Sequence, residues 1–450
     1  MSSGIDTIAA IATPTGKGGI GIIRISGPES EVIATRIIGH DTKPRYADYC
    51  KFLSEEKTVI DEGIVLFFKS PASFTGEDVI EFQGHGGPVV LDLLLKQVLS
   101  YGARMARPGE FSERAFLNDK IDLTQAEAIA DLIEAGSEQA ARAAQKSLQG
   151  VFSSVIYNLV DQLTQLRMYV EAAIDFPEEE IDFLADDKLI SDLRIIMDSL
   201  KEVERVTKQG ILLREGMTVV LTGQPNVGKS SLLNGLSGQE AAIVTDVPGT
   251  TRDVLSREIN LKGLPLHIVD TAGLRNSDDV IEKEGIKRAW TEIEKADRIL
   301  LVVDTNKGID ANDHALLERF PKHIPVTVIH NKIDLTHNKP QIIQVSELTS
   351  IYLSARKNLG MDLLQEHLQL SMGYSGATEG SFVARRRHLE ALQQAREYIK
   401  IGYNNLQVHR AGELLAEDLR QAQMALSEIT GEFTPDDLLG KIFSSFCIGK

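Results

Sequence analysis

The stretch Gly223-Gln-Pro-Asn-Val-Gly228-Lys229-Ser230 decides the fold, and it lies between the apolar segment Thr218–Thr222 and the helix-forming run Ser231–Leu236. This is the G-x-x-x-x-G-K-S spacing in the strand–loop–helix setting that a phosphate-binding loop requires. Main-chain N–H groups of such a loop, backed by a helix N-terminus, form a concave cradle for anions. Gly223 and Gly228 let the chain curl without a Cβ in the way. Asn226, Val227 and Gly228 then line the phosphates, and Lys229 reaches the β- and γ-phosphates. The Ser230 hydroxyl, with Ser231 behind it, faces Mg²⁺. Working outward, Thr218–Thr222, Leu266–Val269, Arg298–Asp304, Val326–Asn331 and Ile351–Ser354 alternate with helical segments, which predicts a parallel sheet.

Two further motifs sit at the ends of those strands. Asp270-Thr271-Ala272-Gly273 closes one, so its carboxylate emerges beside the loop to hold an Mg²⁺-bound water, with the Gly273 N–H near a γ-phosphate. Asn331-Lys332-Ile-Asp334 closes another, where the Asp334 carboxylate can accept two N–H bonds from a guanine edge. Adenine would leave that carboxylate facing an acceptor, and unpaired buried polar groups discriminate strongly. Ser354-Ala355-Arg356 follows the next strand, where a backbone N–H can donate to the guanine carbonyl. The motif order specifies GTP. The segment Gly249-Thr250-Thr251-Arg252-Asp253 occupies the place of a nucleotide-sensing switch, with Thr251 the expected Mg²⁺ and γ-phosphate ligand and Thr245, Asp246, Val247 and Pro248 just before it counted among the GTP-binding residues.

Two residues stand out within this frame. Leu274 follows Gly273, where many regulatory GTPases carry a water-orienting Gln, and leucine cannot orient water. Glu282, in the acidic segment Asp278–Glu284, is either the replacement or a solvated residue at a helix start. Asn226 offers an amide oxygen that could hold a monovalent cation against the phosphates, as an arginine finger does elsewhere, or simply close a local hydrogen bond.

The 450 residues exceed what one core needs and predict about three domains. Residues 5–118 read as α+β, with strands Gly19–Ile25, Ile64–Phe68 and Val79–Phe82 and a helix Val89–Ser100. From Asp122 the pattern is helical: Thr124 and Glu127 read as a capping box, followed by helices over Val151–Ile174 and Asp186–Gln209. Helical spacing returns at Leu389–Ile399 and Leu414–Leu426. The expected architecture is therefore multidomain: an α+β domain over 1–120, a discontinuous α-helical domain over 121–215 plus 373–450, and an inserted α/β P-loop domain over 216–372. A net charge of −17 argues against broad attraction to nucleic acid, while leaving room for docking on a local basic patch. Arg385-Arg386-Arg387 is the clearest such patch, or an exposed charged helix start. The apolar runs are too short for a membrane span or signal peptide, and two cysteines, Cys50 and Cys447, fit a reducing cytoplasm.

With these residues in view, the chain resembles the bacterial tRNA-modification GTPases of the MnmE/TrmE type over its whole length. The resemblance rests on Gly19–Ser26 (GIGIIRIS), Glu81–Pro88 (EFQGHGGP), Gly109–Asp122 (GEFSERAFLNDKID), the nucleotide motifs and the terminal Phe446-Cys-Ile-Gly-Lys450. It implies a folate-binding-like N-terminal domain that forms a homodimer and takes 5-formyl-tetrahydrofolate at Arg24, Glu81, Lys120 and Lys450. Those residues suit glutamyl carboxylates and pterin N–H groups, and equally suit surface ion pairs. It also implies a K⁺ site at Asn226, Thr245, Val247 and Thr250, with Val247 and Thr245 giving main-chain carbonyls, and a catalytic acid at Glu282. Pro248 departs from the small or apolar residue common in the family and stiffens the loop. Cys447 matches a family cysteine that reads either as a nucleophile or as a buried apolar side chain.

Two functions follow as expectations. In the first, GTP turnover drives a conformational step while an FAD-dependent partner and a folate one-carbon unit build a carboxymethylaminomethyl (or aminomethyl) group on the wobble uridine of tRNA. In the second, the chain is a GTP-gated RNA-binding assembly factor without modification chemistry. The nucleotide motifs serve both equally, and folate binding separates them.

Overall fold

The computed structural model describes residues 6–175, 187–237, 256–261, 263–270, 280–345, 348–371, 382–409, 411–432, 436–446 and 449. The chain forms two compact units, one from Met1–Ala130, Phe152–Glu179 and Ala411–Lys450, the other from Asp131–Val151 and Glu180–Arg410. Among the described residues no helix is long and apolar enough to cross a membrane.

The first unit opens with β1 (Ile8–Ile11), β2 (Gly18–Ser26), α1 (Ser30–Ile38), β3 (Asp48–Leu53), β4 (Val59–Phe68), β5 (Val79–Gly86), α2 (Pro88–Ser100), β6 (Arg104–Met105) and α3 (Glu110–Leu117). The strands form one sheet in the order β3-β4-β5-β2-β1-β6. Strand alternation sends Ile23 and Ile25 into a core with Phe52, Phe82, Ile33, Ile37, Leu91 and Leu94. Arg24, one residue out of phase, takes the other face and stands directly opposite Glu81 across β2 and β5. Helix α4 (Leu123–Glu134) as far as Ala130, α6 (Val151–Asp175) from Phe152, α13 (Gly412–Thr430) and α14 (Asp436–Ser444) complete this unit, and Arg167 of α6 donates to Gln423 of α13 at 2.7 Å.

The capping box of α4 lies two residues before the expected Thr124 and Glu127. The Gln125 N–H donates to Asp122 Oδ1 at 3.0 Å, and the Asp122 N–H donates back to Gln125 Oε1 at 3.0 Å. Aspartate is at least as good an N-cap as threonine, so the box formed at the earlier position. Thr124 turns its hydroxyl to Asp122 and Ser153 instead.

Arg114 is the ionic hub of this unit. Its buried guanidinium donates to Asp6 Oδ1 at 2.8 Å, Glu77 Oε2 at 3.0 Å and Glu110 Oε1 at 3.3 Å. Removing it strands carboxylates, so Arg114→Met should destabilise the unit by about 3–5 kcal/mol. Hydrogen exchange in the 6–118 segment is the measurement, and protection equal to the unchanged chain would refute this. The linkage sign follows from the partners. Burial opposes ionisation of Glu110, yet the Arg104 hydrogen bond, the Arg107 N–H and the nearby guanidinium charges together hold its carboxyl below the ordinary 4.5. Arg104 holds Asp6 below 3.8. Their stabilisation is complete above those ordinary values and drains away as pH falls through the lowered folded-state ones.

The second unit holds α5 (Glu138–Leu148), α7 (Asp187–Glu215), β7 (Met217–Gly223), α8 (Lys229–Ser237), β8 (Ser256–Leu261), β9 (Leu264–Asp270), α9 (Val280–Lys295), β10 (Arg298–Asp304), α10 (Ala311–Arg319), β11 (Val326–Asn331), β12 (Gln341–Val345), β13 (Leu348–Tyr352), α11 (Met361–Ser371) and α12 (Arg386–His409). Its sheet runs β12-β13-β11-β10-β7-β9-β8, parallel except at the edge pairs β12–β13 and β8–β9. Four of the five inner strands lie where expected, the fifth, β13, runs over Leu348–Tyr352 rather than Ile351–Ser354, and the antiparallel edges are additional. Helix α7 ends at Glu215 rather than at the expected Gln209, and it packs on α12.

Candidate functional site

Because β7, β9, β10, β11 and β13 are parallel, their carboxyl ends gather the expected motifs on one edge of the sheet. Gly223 and Gly228 have φ of +137° and +100°. A Cβ on Gly223 would come within 2.2 Å of the Val302 carbonyl, and one on Gly228 within 2.3 Å of Asn331 Nδ2. Side chains are excluded at both, which lets the loop fold back over the sheet end. Asn226 has φ of +64°, a conformation asparagine tolerates better than most residues, so the backbone gives this position a second reason to be asparagine.

Lys229 opens α8, and its Nζ donates to the carbonyls of Gly223 at 2.8 Å and Gln224 at 3.1 Å. Burial lowers its pKa, while the nearby Asp270 carboxylate acts in the opposite direction. Lysine and aspartate thus share one locale, although β7 and β9 bring them from positions far apart in sequence. Ser230 and Ser231 follow in the first turn of α8, both exposed.

Asn331 is 2% exposed and ties three segments together. Its Nδ2 donates to the Val227 carbonyl at 2.8 Å, and its Oδ1 accepts from Lys332 N at 2.8 Å and Ala355 N at 3.0 Å. Lys332 sends Nζ to the Asn226 carbonyl at 2.7 Å and Asp304 Oδ2 at 2.8 Å. The Ser354 hydroxyl donates to Asp334 Oδ1 at 2.6 Å, fixing the carboxylate expected to read the base. Arg356 is exposed beside this pair.

Two residues, Asp304 and Asp310, and the hydroxyl role of the expected Ser354 escaped the sequence reading. Asp304 anchors Lys332, Ser354 acts through its hydroxyl as well as its backbone, and Asp310 accepts from Gln224 Nε2 at 2.5 Å while capping α10. Asp304 ends a hydrophobic strand, a position that could have marked it. The Gln224–Asp310 contact had no local signal, since it depends on β10 lying beside β7.

Thr245, Asp246, Val247, Pro248, Gly249, Thr250, Thr251, Thr271, Ala272, Gly273, Leu274, Cys447 and Lys450 lie outside the described residues. Glu282 falls in the first turn of α9, and its side chain lies outside those described. Of the arginine cluster, Arg385 is largely buried and paired with Asp131 at 2.9 Å, which removes it from the surface; Arg386, 75% exposed, pairs with Glu215 at 2.9 Å.

On the first unit, Arg24 donates from Nε to Glu81 Oε1 at 3.0 Å and from Nη1 to the Gly449 carbonyl at 3.3 Å. Its guanidinium lies over the Phe74 and Phe111 rings, 5.9 and 5.8 Å from their centroids. Lys120 Nζ donates to the Pro71 carbonyl at 3.0 Å, so the 71–74 segment neighbours both cations.

A phosphate-cradling loop on an interior parallel strand, with an Asn-Lys-x-Asp loop two strands away, defines a P-loop GTP hydrolase. Family models match the MnmE helical domain over residues 123–447 and the GTP-binding protein TrmE N-terminus over 7–120. The chain is 60% identical to the tRNA modification GTPase MnmE of Hydrogenovibrio crunogenus, covering 99% of both proteins. It is 59% identical to the protein of the same name from Proteus mirabilis, again over 99% of each. The chain belongs to the MnmE family.

Proposed function

We propose that this chain is a K⁺-dependent GTPase which, with an FAD-dependent partner subunit, forms 5-carboxymethylaminomethyl (or aminomethyl) uridine at the tRNA wobble position from a folate one-carbon unit. The observation that carries the reading is full-length identity near 60% to proteins named for tRNA modification. The chain acts in the cytoplasm as a homodimer, divided into 1–120 for folate and dimerisation, 121–215 plus 373–450 for the helical domain, and 216–372 for GTP.

In this reading the loop N–H groups and Lys229 grip the triphosphate. The Lys229 ammonium exchanges the Gly223 and Gln224 carbonyls for phosphate oxygens, a stronger charge-assisted pairing. Ser230 and Thr251 would hold Mg²⁺, and the Asp270 carboxylate beside Lys229 would hold an Mg²⁺-bound water. When bound, the metal offsets the charge that builds on the phosphates. Asn226, Thr245, Val247 and Thr250 hold K⁺, and Glu282 orients the attacking water. Thr245–Thr251 and Asp270–Gly273 sense the γ-phosphate, while Asn331, Lys332, Asp334 and Ser354–Arg356 select guanine. At the folate site, Arg24, Lys120 and Lys450 meet carboxylates and Glu81 accepts pterin N–H groups. The Arg24–Glu81 pair supports this, since its face also carries the Phe74 ring for a flat heterocycle.

The decisive experiment reconstitutes the chain with its FAD-dependent partner, GTP, methylene- or formyl-tetrahydrofolate and unmodified tRNA, and reads the wobble uridine by mass spectrometry. Modified uridine should form in K⁺ and fall at least about tenfold in Na⁺, as loss of an electrostatic transition-state contact predicts. GTP turnover without folate binding or uridine modification would sink the reading in favour of an assembly factor, and equal rates in both salts would remove the K⁺ site.

A further inference from the structure

We propose that His40, Asp48 and Cys50 form a binding site for one zinc-class divalent cation at the edge of the N-terminal sheet. The backbone assembles these donors. Asp48 and Cys50 are two residues apart on β3, so strand alternation points both to the same face. His40 follows Gly39, the left-handed C-cap that ends α1 and turns the chain towards that face. The imidazole, carboxylate and sulfur donor atoms lie within 4.8 Å of one another, with His40 Nδ1 at 3.6 Å from Asp48 Oδ2.

A tetrahedral zinc ion with ligand bonds of about 2.0–2.3 Å needs ligand separations of about 3.3–3.8 Å, so the nitrogen–oxygen edge is already near its target and the sulfur has at most about an ångström to close. Thiolate with imidazole favours zinc-class metals over Mg²⁺ and Ca²⁺, which separates this site from the nucleotide's cation. Binding replaces the Cys50 thiol proton, which leaves to solvent, with the metal ion. Three protein ligands leave a fourth position for water, and His40 is 49% exposed, so an ion has a path in. Since β3 is the sheet's terminal strand, the ion would staple it to the end of α1.

The test titrates tag-free, full-length, nucleotide-free protein with Co²⁺ alone and reads the thiolate-to-cobalt charge-transfer band, followed by competition with Zn²⁺. The chain has only two cysteines, so the band assigns its own ligand. One ion per chain is expected, with the band kept in Cys447→Ser, abolished in Cys50→Ser, and binding weakened about tenfold or more in His40→Ala. Cys50→Ser should hydrolyse GTP normally, which shows that it folds; should it not fold, Asp48→Asn takes its place and must weaken binding equally. No band at saturating Co²⁺, or a band that follows Cys447, overturns the proposal.

Discussion

Asp334→Asn is expected to weaken GTP binding by about a hundredfold, because two charge-assisted hydrogen bonds at roughly 1.5 kcal/mol each are lost or reversed. The guanine edge offers two donors, N1–H and the exocyclic amine, and a carboxylate accepts both. An amide keeps one acceptor and turns an N–H towards the second donor. Xanthine carries a carbonyl where guanine carries that amine, so the same variant should prefer xanthosine triphosphate. Selectivity would thereby be redirected rather than merely lost. Ser354 makes this a sharp test. Its hydroxyl donates to Asp334 Oδ1 at 2.6 Å and so fixes the carboxylate plane in advance. Ser354→Ala should then cost a smaller factor, about five- to tenfold, without changing base preference. Calorimetry with GTP, ATP and xanthosine triphosphate decides the matter, and unchanged GTP affinity in Asp334→Asn would end the base-reading assignment.

What could be read in the sequence was whatever depends on local order. The phosphate loop announced itself because its glycines, lysine and serine are spaced by the geometry of one turn, and the inner strands because each is a short apolar run, four of the five ending at a motif. Edge strands β8 and β12 carry weaker apolar signals, whereas α5 has clear helical spacing, burying Ala140, Ala143, Ala144 and Ser147, but its inner face is built of small residues that hydrophobic pattern alone does not mark. The α4 cap slipped by two residues because Asp122-x-x-Gln125 and Thr124-x-x-Glu127 satisfy the same rule, and only packing separates them. Non-local partners were illegible in principle. Asp310 meets Gln224 across 86 positions and Asp131 meets Arg385 across 254. The second of these changes a reading outright, turning one member of an apparent basic patch into half of a buried ion pair. Arg24 and Glu81 were individually visible, but their pairing required the register of β2 against β5.

Asn331→Ala should have the broadest consequence of any single change in the second unit. The side chain is buried, and deleting its amide leaves the Val227 carbonyl and the N–H groups of Lys332 and Ala355 without their partner. At about 1–3 kcal/mol for each buried group, discounted for water entering the space, the cost is about 3–5 kcal/mol. Its distribution distinguishes a structural asparagine from a coordinating one. Val227 belongs to the phosphate loop and Ala355 to the base-reading segment, so the amide holds phosphate and base subsites in one register. Nucleotide affinity should fall about 10²–10³-fold, with GTP and GDP affected alike because the base and proximal phosphates are common to both. Asn331→Asp provides the second arm: it retains acceptors for both N–H groups but sets a negative oxygen against the Val227 carbonyl. That variant should keep most of the thermal stability yet still lose affinity. If both variants melt early while binding GTP with unchanged affinity, the amide serves the core alone and the two subsites are held in register by other means.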